Sequence, residues 1–215
     1  LCPPVLAFVN VCMKAYEVPH TNRFIRRASA ALAASGAVKV GITGSFGKTS
    51  VKNFAAVILS EKFKVIATPA SYNTPAGIAR AVNEGGLDCE VFLAEMGARR
   101  RGDIAQLCDM VRPTVGVVTG VCAQHTETFG SLEAVKEEKG VLAARTEKCV
   151  LGRSCADMGG GNALVMGRDF GAEDIRLSLD GTQFTLRLPS GCFPVSVPVL
   201  GRHAAEDVAL AAALA

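Results

Sequence analysis

The sequence predicts an α/β fold: a mostly parallel sheet with helices on both faces, and a small antiparallel β hairpin region near the C-terminal end. Three observations predict it. Short apolar runs alternate with segments at helical spacing between residues 38 and 144. Those runs are apolar throughout, as strands buried on both faces require. After about residue 150, apolar and polar residues alternate around a turn, the pattern of a hairpin.

The elements follow in order. Residues 1–13 are mostly apolar but too few to span a bilayer, which takes about 20 residues. Lys14, Arg23, Arg26 and Arg27 come next. Two readings stay open for this segment. One is the cytoplasmic end of a membrane helix whose body lies upstream of residue 1; the other is a buried helix of a soluble domain. A cleavable signal peptide fits less well, because the charge follows the apolar run and no clear cleavage site is visible. Residues 21–36 read as a connecting helix that ends at Gly36. The division expected is therefore an N-terminal apolar and basic segment with linker, 1–36, and one domain, 37–215. Both ends read as cut from a longer protein.

Residues 38–42 read as a buried strand, and 49–61 as a helix with apolar positions at Val51, Phe54, Ala55, Ile58 and Leu59. A second strand covers 63–67. A polar loop from Thr68 to Pro75 leads into a helix that reaches about Asn83. The apolar run from Cys89 to Ala94 ends in Glu95. Gly102 and Asp103 open another helix, which stops before Pro113, and 115–119 form a further strand. Ser131 is placed to N-cap a helix reaching about Ala144. Residues 159–161, all glycine, make a flexible loop. Residues 175–179 and 183–188 form the hairpin, and a helix starts at His203.

With 215 residues, 49% hydrophobic and 20% charged, the chain is globular and large enough for a sizeable core. A net charge of +3, with no basic stripe interleaved with aromatics, gives no reason to invoke nucleic acid. The eight cysteines form no CxxC pair and have irregular spacings. That argues against zinc and for a reduced, cytosolic compartment.

The chemistry centres on residues 43–49, Thr-Gly-Ser-Phe-Gly-Lys-Thr, between a strand and a helix. This is the order a phosphate cradle needs, so the sheet is of the P-loop type. Glycines let backbone N–H groups converge on phosphate oxygens, and the helix N-terminus adds positive partial charge. Lys48 would reach the terminal phosphates, and the Thr49 hydroxyl would ligate Mg²⁺. The full GxxxxGK[ST] pattern is not met, since Ile42 stands at its first glycine; Gly44, Gly47, Lys48 and Thr49 meet the shorter form. Glu95 and His125 lie just past strand ends, where open parallel sheets place catalytic groups. A carboxylate at 95 can hold Mg²⁺, or be a solvated loop residue. His125 can ligate a second metal, donate to an oxygen, or be structural. Lys139, read from the residues alone, is an exposed helix lysine.

Several spaced segments together resemble the Mur ligase family. They are residues 41–50 (GITGSFGKTS), 67–77 (ATPASYNTPAG), 94–98 (AEMGA), Arg112-Pro113, 124–133 (QHTETFGSLE), Lys139-Gly140 and Gly201-Arg202-His203. The likeness covers about 38–215 and is strongest over 38–140. It points to the branch that adds D-alanyl-D-alanine to UDP-N-acetylmuramoyl-tripeptide through an acyl phosphate. By this resemblance Thr43, Gly44, Ser45, Gly47, Lys48, Thr49, Ser50, Asn73, His203 and Asp207 bind ATP. Lys48, Glu95, His125 and Lys139 form the catalytic set. Thr49, Glu95, His125 and Lys139, the last as a carbamate, hold Mg²⁺. The resemblance also implies a cytoplasmic protein, or one held at the inner face of the membrane.

Three departures stand against the family pattern. His203 is followed by Ala204, and Asp207 stands where an asparagine is expected, so adenine contacts there are in question. Residues 149–157 are shortened where the family carries an Asn- and Asp-containing loop. The family's amino- and carboxy-terminal domains are absent. Two further readings follow: another amide ligase of the superfamily, of folyl-polyglutamate or poly-amino-acid type, and a nucleotide-binding module that does not catalyse.

Overall fold

The computed structural model describes residues 3–122 and 129–215. Six strands form one sheet: β1 (Val38–Thr43), β2 (Val65–Ala67), β3 (Val91–Glu95), β4 (Val115–Val118), β5 (Lys148–Leu151) and β6 (Ala163–Val165). Their order is β2-β3-β1-β4-β5-β6, and every pairing is parallel. The expected parallel sheet is therefore present.

Among the described residues, six α-helices accompany it: α1 (Pro3–Ala34), α2 (Lys48–Ser60), α3 (Pro75–Gly85), α4 (Asp103–Val111), α5 (Leu132–Ala144) and α6 (Arg202–Leu214). Strand residues alternate between two cores, one per face of the sheet. Val40, Ile42, Val91 and Leu93 pack with Val51, Ala55 and Leu59 of α2 and with Ala205 and Ala209 of α6. Phe92 and Ala94 point the other way, to Ile78 of α3, Ile104 and Leu107 of α4 and Leu142 of α5. Gly41 serves that second face by being small: a Cβ there would lie 2.8 Å from Leu142.

The N-terminal segment is continuous with the expected connecting helix. It is one helix of 32 residues, with Pro19 inside it. Ala28 and Leu32 near its end are fully buried against the α3/α4 core, whereas Val5, Leu6, Phe8 and Val9 are exposed. Among the described residues, no helix is long and apolar enough to cross a membrane.

The C-terminal hairpin proves to be a three-stranded antiparallel sheet, β7 (Gly171–Ser178), β8 (Gly181–Leu188) and β9 (Gly191–Val197). The third strand escaped the reading because Gly191, Pro194 and Ser196 dilute its alternation. This small sheet packs through Phe184 and Leu186 onto the α2/α6 core. Strands β5 and β6 also went unread. They are 4 and 3 residues long, and each runs into a polar or glycine-rich stretch, 152–157 after β5 and 159–161 before β6.

Candidate active site

The site lies at the carboxyl ends of the central strands, around β1, where the chain switches sides of the sheet. β1 runs straight into the glycine loop and α2. Gly44 (φ 151°) and Gly47 (φ 75°) hold conformations that L side chains rarely adopt. A Cβ at Gly44 would collide with the Thr119 hydroxyl, and one at Gly47 would lie 2.7 Å from Asp207 Oδ1. The loop is anchored by Ser45 N donating to the Gly120 carbonyl at 2.7 Å, and by the Thr119 hydroxyl donating to the Phe46 carbonyl.

Helix α2 starts on Gly47 with no side-chain cap. By contrast, Thr74 caps α3 through Gly77 N, and Ser131 caps α5 through Ala134 N as its sequence position predicts. The first N–H groups of α2 are thus open to an anion. Lys48 folds back over the loop, its ammonium donating to the carbonyls of Gly44 (2.8 Å) and Ser45 (3.4 Å). Burial lowers its pKa, while the nearby Glu95 and Cys122 oppose the shift.

Glu95 is not a solvated loop residue; it is 1% exposed. Its carboxylate gathers three donors: Thr49 Oγ1 at 2.8 Å, Asn73 Nδ2 at 3.1 Å and Lys52 Nζ at 3.2 Å. Thr49, Asn73 and Glu95, far apart in sequence, thus meet at one point. Lys52, one helical turn past Lys48, was missed by the sequence reading. It too is 1% exposed, and it also donates to the Ala70 carbonyl. Its spacing on the apolar side of α2, beside Val51 and Ala55, was the signal available.

Lys139 corrects the sequence reading outright. It is 4% exposed, not a surface lysine. Burial, reinforced by the positive charge of Lys48, lowers its pKa to about 8. Its neighbour Glu138 is equally hidden, accepting from Gly102 N at 2.8 Å and Ile104 N at 2.7 Å. It thereby ties α5 to the start of α4. Glu138 was also missed, because a glutamate among charged helix residues looks like surface. His125 lies outside the described residues.

A cleft of about 530 Å³ opens beside the loop, lined by Gly44, Ser45, Lys48, Asn73, Thr74, Arg99, Arg100 and Lys139 among others. A second, more apolar cavity of about 310 Å³ takes its walls from Phe46, Met166, His203, Asp207 and Leu210. Among the described residues it shares no lining with the first; Phe46 of the loop borders it, whereas Gly44, Ser45 and Lys48 border the cleft. His203 is exposed and Asp207 is buried. Burial pushes the Asp207 carboxyl up to about 6, opposed by His203 and by the Ser50 hydroxyl.

The residues fit a nucleotide and a divalent cation: an uncapped helix start, glycines where backbone must approach closely, and a hydroxyl and carboxylate converging at 2.8 Å. Fold and site together define a P-loop-type nucleotide-binding domain on a parallel sheet. A family model described as the Mur ligase middle domain matches residues 42–215. The chain belongs to the Mur ligase family.

Its relatives agree. The chain is 30% identical over 190 residues to the UDP-N-acetylmuramoyl-tripeptide–D-alanyl-D-alanine ligase of Escherichia coli, matching 81% of this chain and 42% of that protein. It is 34% identical over 188 residues to the ligase of the same name from Synechocystis, covering 82% and 40%. The chain thus spans less than half the length of these relatives. Among solved structures, the fold is shared with the UDP-N-acetylmuramoylalanyl-D-glutamyl-2,6-diaminopimelate–D-alanyl-D-alanyl ligase of Acinetobacter baumannii. The TM-score is 0.80 at 21% identity, covering 90% of this chain and 46% of that one. It is shared likewise with the MurF ligase of Thermotoga maritima in complex with ADP, with TM-score 0.80 at 24% identity, covering 90% and 48%.

Proposed function

We propose that this chain is the ATP-binding domain of an ATP-dependent acid–amino-acid ligase of peptidoglycan precursor synthesis. It adds D-alanyl-D-alanine to UDP-N-acetylmuramoyl-tripeptide, in the cytoplasm. Residues 37–215 act as that domain, and 1–36 as the segment leading into it. Membrane attachment forms no part of the reading. The observation that carries it is the meeting of Thr49, Glu95 and Asn73 at the open start of α2, beside Lys48. Relatives named for this reaction support the substrate branch.

In the first step a substrate carboxylate oxygen attacks the γ-phosphorus, forming an acyl phosphate and releasing ADP. In the second, the amine attacks the acyl carbon, phosphate departs, and an amide bond forms. Such phosphoryl transfer needs positioning and charge neutralisation above all. The open N–H groups of α2 and the Lys48 ammonium hold the phosphates. Thr49 and Glu95 would hold Mg²⁺, with His125 and Lys139 as further ligands, and the ion would neutralise charge shared by nucleotide and carboxylate. Lys52 pairs with the Glu95 carboxylate at 3.2 Å and holds it in place.

Lys139 serves as a ligand only as a carbamate, and only a neutral amine adds CO₂. Lowering its pKa to about 8 raises the neutral fraction at pH 7 roughly 300-fold over an ordinary lysine. The 310 Å³ cavity takes the base, bounded by Phe46, His203 and Asp207. The larger cleft then receives the acyl substrate. In the Acinetobacter ligase's name that substrate contains glutamyl and 2,6-diaminopimelyl residues, so it carries carboxylates besides the one that reacts.

Phosphate release by the full-length protein with Mg-ATP and the tripeptide tests the reading, with and without D-alanyl-D-alanine. Release that requires the dipeptide is expected. Tight nucleotide binding with no release under any combination would sink it, in favour of a non-catalytic module.

A further inference from the structure

The loop between β3 and α4 carries three consecutive arginines, and only one of them is committed. Arg101 pairs with Glu137 of α5 at 3.0 Å. Among the described residues, the guanidinium groups of Arg99 and Arg100 have neither an ion-pair nor a hydrogen-bond partner, although both are exposed and line the 530 Å³ cleft.

Their backbone, however, is held firmly. Asp103 Oδ2 accepts from Arg99 N at 2.8 Å and from Arg100 N at 2.9 Å. Gly97 N donates to the Asn73 carbonyl at 2.8 Å, and Asn73 in turn grips Glu95. Buried Glu138 takes Gly102 N and Ile104 N at the far end. The loop is therefore fixed to the same frame that fixes the metal-binding carboxylate.

Among the described residues, the cleft is lined by two lysines, Lys48 and Lys139, two arginines, Arg99 and Arg100, and one carboxylate, Asp103, which is occupied by the two backbone N–H groups. Lys48 is accounted for by phosphate and Lys139 by its carbamate. Two guanidiniums on a rigid backbone remain, and among the described residues no carboxylate side chain lining the cleft is left free to meet them. Guanidinium forks match carboxylates bidentately.

We infer that Arg99 and Arg100 form a subsite for a non-reacting carboxylate of the peptidyl substrate, and so select acidic over neutral peptides at this cleft. The inference rests on the ligase reading above. It adds a specificity role to residues outside the phosphate and metal set.

The test uses full-length protein, Mg-ATP, D-alanyl-D-alanine and three UDP-N-acetylmuramoyl-tripeptides, and reads amide formation. The first peptide ends in 2,6-diaminopimelate. The second ends in lysine, which lacks the distal carboxylate. The third keeps diaminopimelate but carries the free glutamyl carboxylate as a carboxamide. For wild type, KM should rise about 10–100-fold for one of the two edited peptides, the worth of a hydrogen bond to a charged group. That peptide identifies which carboxylate is bound. In R99A/R100A, the parent peptide should show the same raised KM, the editing should cost nothing further, and KM for ATP and the melting temperature should stay as in wild type. R99K/R100K should recover part of the affinity, and R101A should behave as wild type. Equal KM values for all three peptides in wild type, or an R99A/R100A protein that still discriminates among them, would overturn the inference alone. Wild type that turns over none of the peptides would overturn the ligase reading and this inference with it.

Discussion

Replacing Lys52 by methionine tests whether a single buried ion pair organises the site. The substitution keeps the side-chain length but removes the ammonium that meets Glu95 Oε2 at 3.2 Å, where both residues are 1% exposed. Glu95 would keep its hydrogen bonds from Thr49 and Asn73 but lose its only ion-pair partner among the described residues, and the Ala70 carbonyl would lose its donor. Removing one partner of a buried pair costs about 3–5 kcal/mol. Unfolding entropy near 60 °C is about 2 cal/mol/K per residue, so for this chain of 215 residues it is roughly 0.45 kcal/mol/K, and K52M should melt about 7–11 °C lower. The double variant K52M/E95Q should recover a large part of that loss, because the amide needs no counter-charge. Circular dichroism melts of wild type, both single variants and the double variant give the cycle. A K52M drop of under about 2 °C, or strictly additive losses in the double variant, would refute the argument that charge compensation holds the carboxylate in place.

Three other outcomes follow from the buried ionisable groups. For Asp207 the folded carboxyl titrates at about 6, above its unfolded value of 3.8, so its contribution is favourable at low pH and is lost as pH rises through 6. D207N should therefore melt higher than wild type at pH 8, by up to about 3 kcal/mol in stability, and this advantage should vanish near pH 4. For Lys139 the folded amine titrates at about 8, below 10.5. The unfolded chain holds the extra proton between those values, so wild type in CO₂-free buffer should gain stability from pH 8 to 10.5 while K139M stays level, measured by urea unfolding. E138A removes the acceptor of two backbone N–H groups and should cost about 3 kcal/mol, with faster amide exchange at Gly102 and Ile104.

How much of this was readable in advance depended on the range of the interactions. Local signals carried well: the glycine loop, the Ser131 cap and the apolar strands all appear where periodicity and turn chemistry put them. Lys139 and Glu138 were misread for one reason. A helix such as Leu-Glu-Ala-Val-Lys-Glu-Glu-Lys looks solvated from its composition, and only the α4 terminus packed against it shows why Glu138 is buried. Lys52 was lost in the same way, since its partner Glu95 lies 43 positions on. The family likeness pointed to Lys139 when the residues alone did not. β5 and β6 are paired to each other, and β5 to β4, only in the folded sheet, and their sequence is flanked by glycine and polar residues that hide the apolar run.

The posture of Lys48 has a consequence for how a ligand arrives. Its ammonium is already bonded to two carbonyls of the loop it belongs to, and burial has already stripped part of its hydration. An incoming polyphosphate therefore exchanges one set of oxygen acceptors for another and does not have to pull a cation out of bulk water. The loop carries a stand-in for its own guest. On the proposed reading, binding would be a trade of partners within the loop, because a polyphosphate would have to replace the two carbonyls that Lys48 already holds.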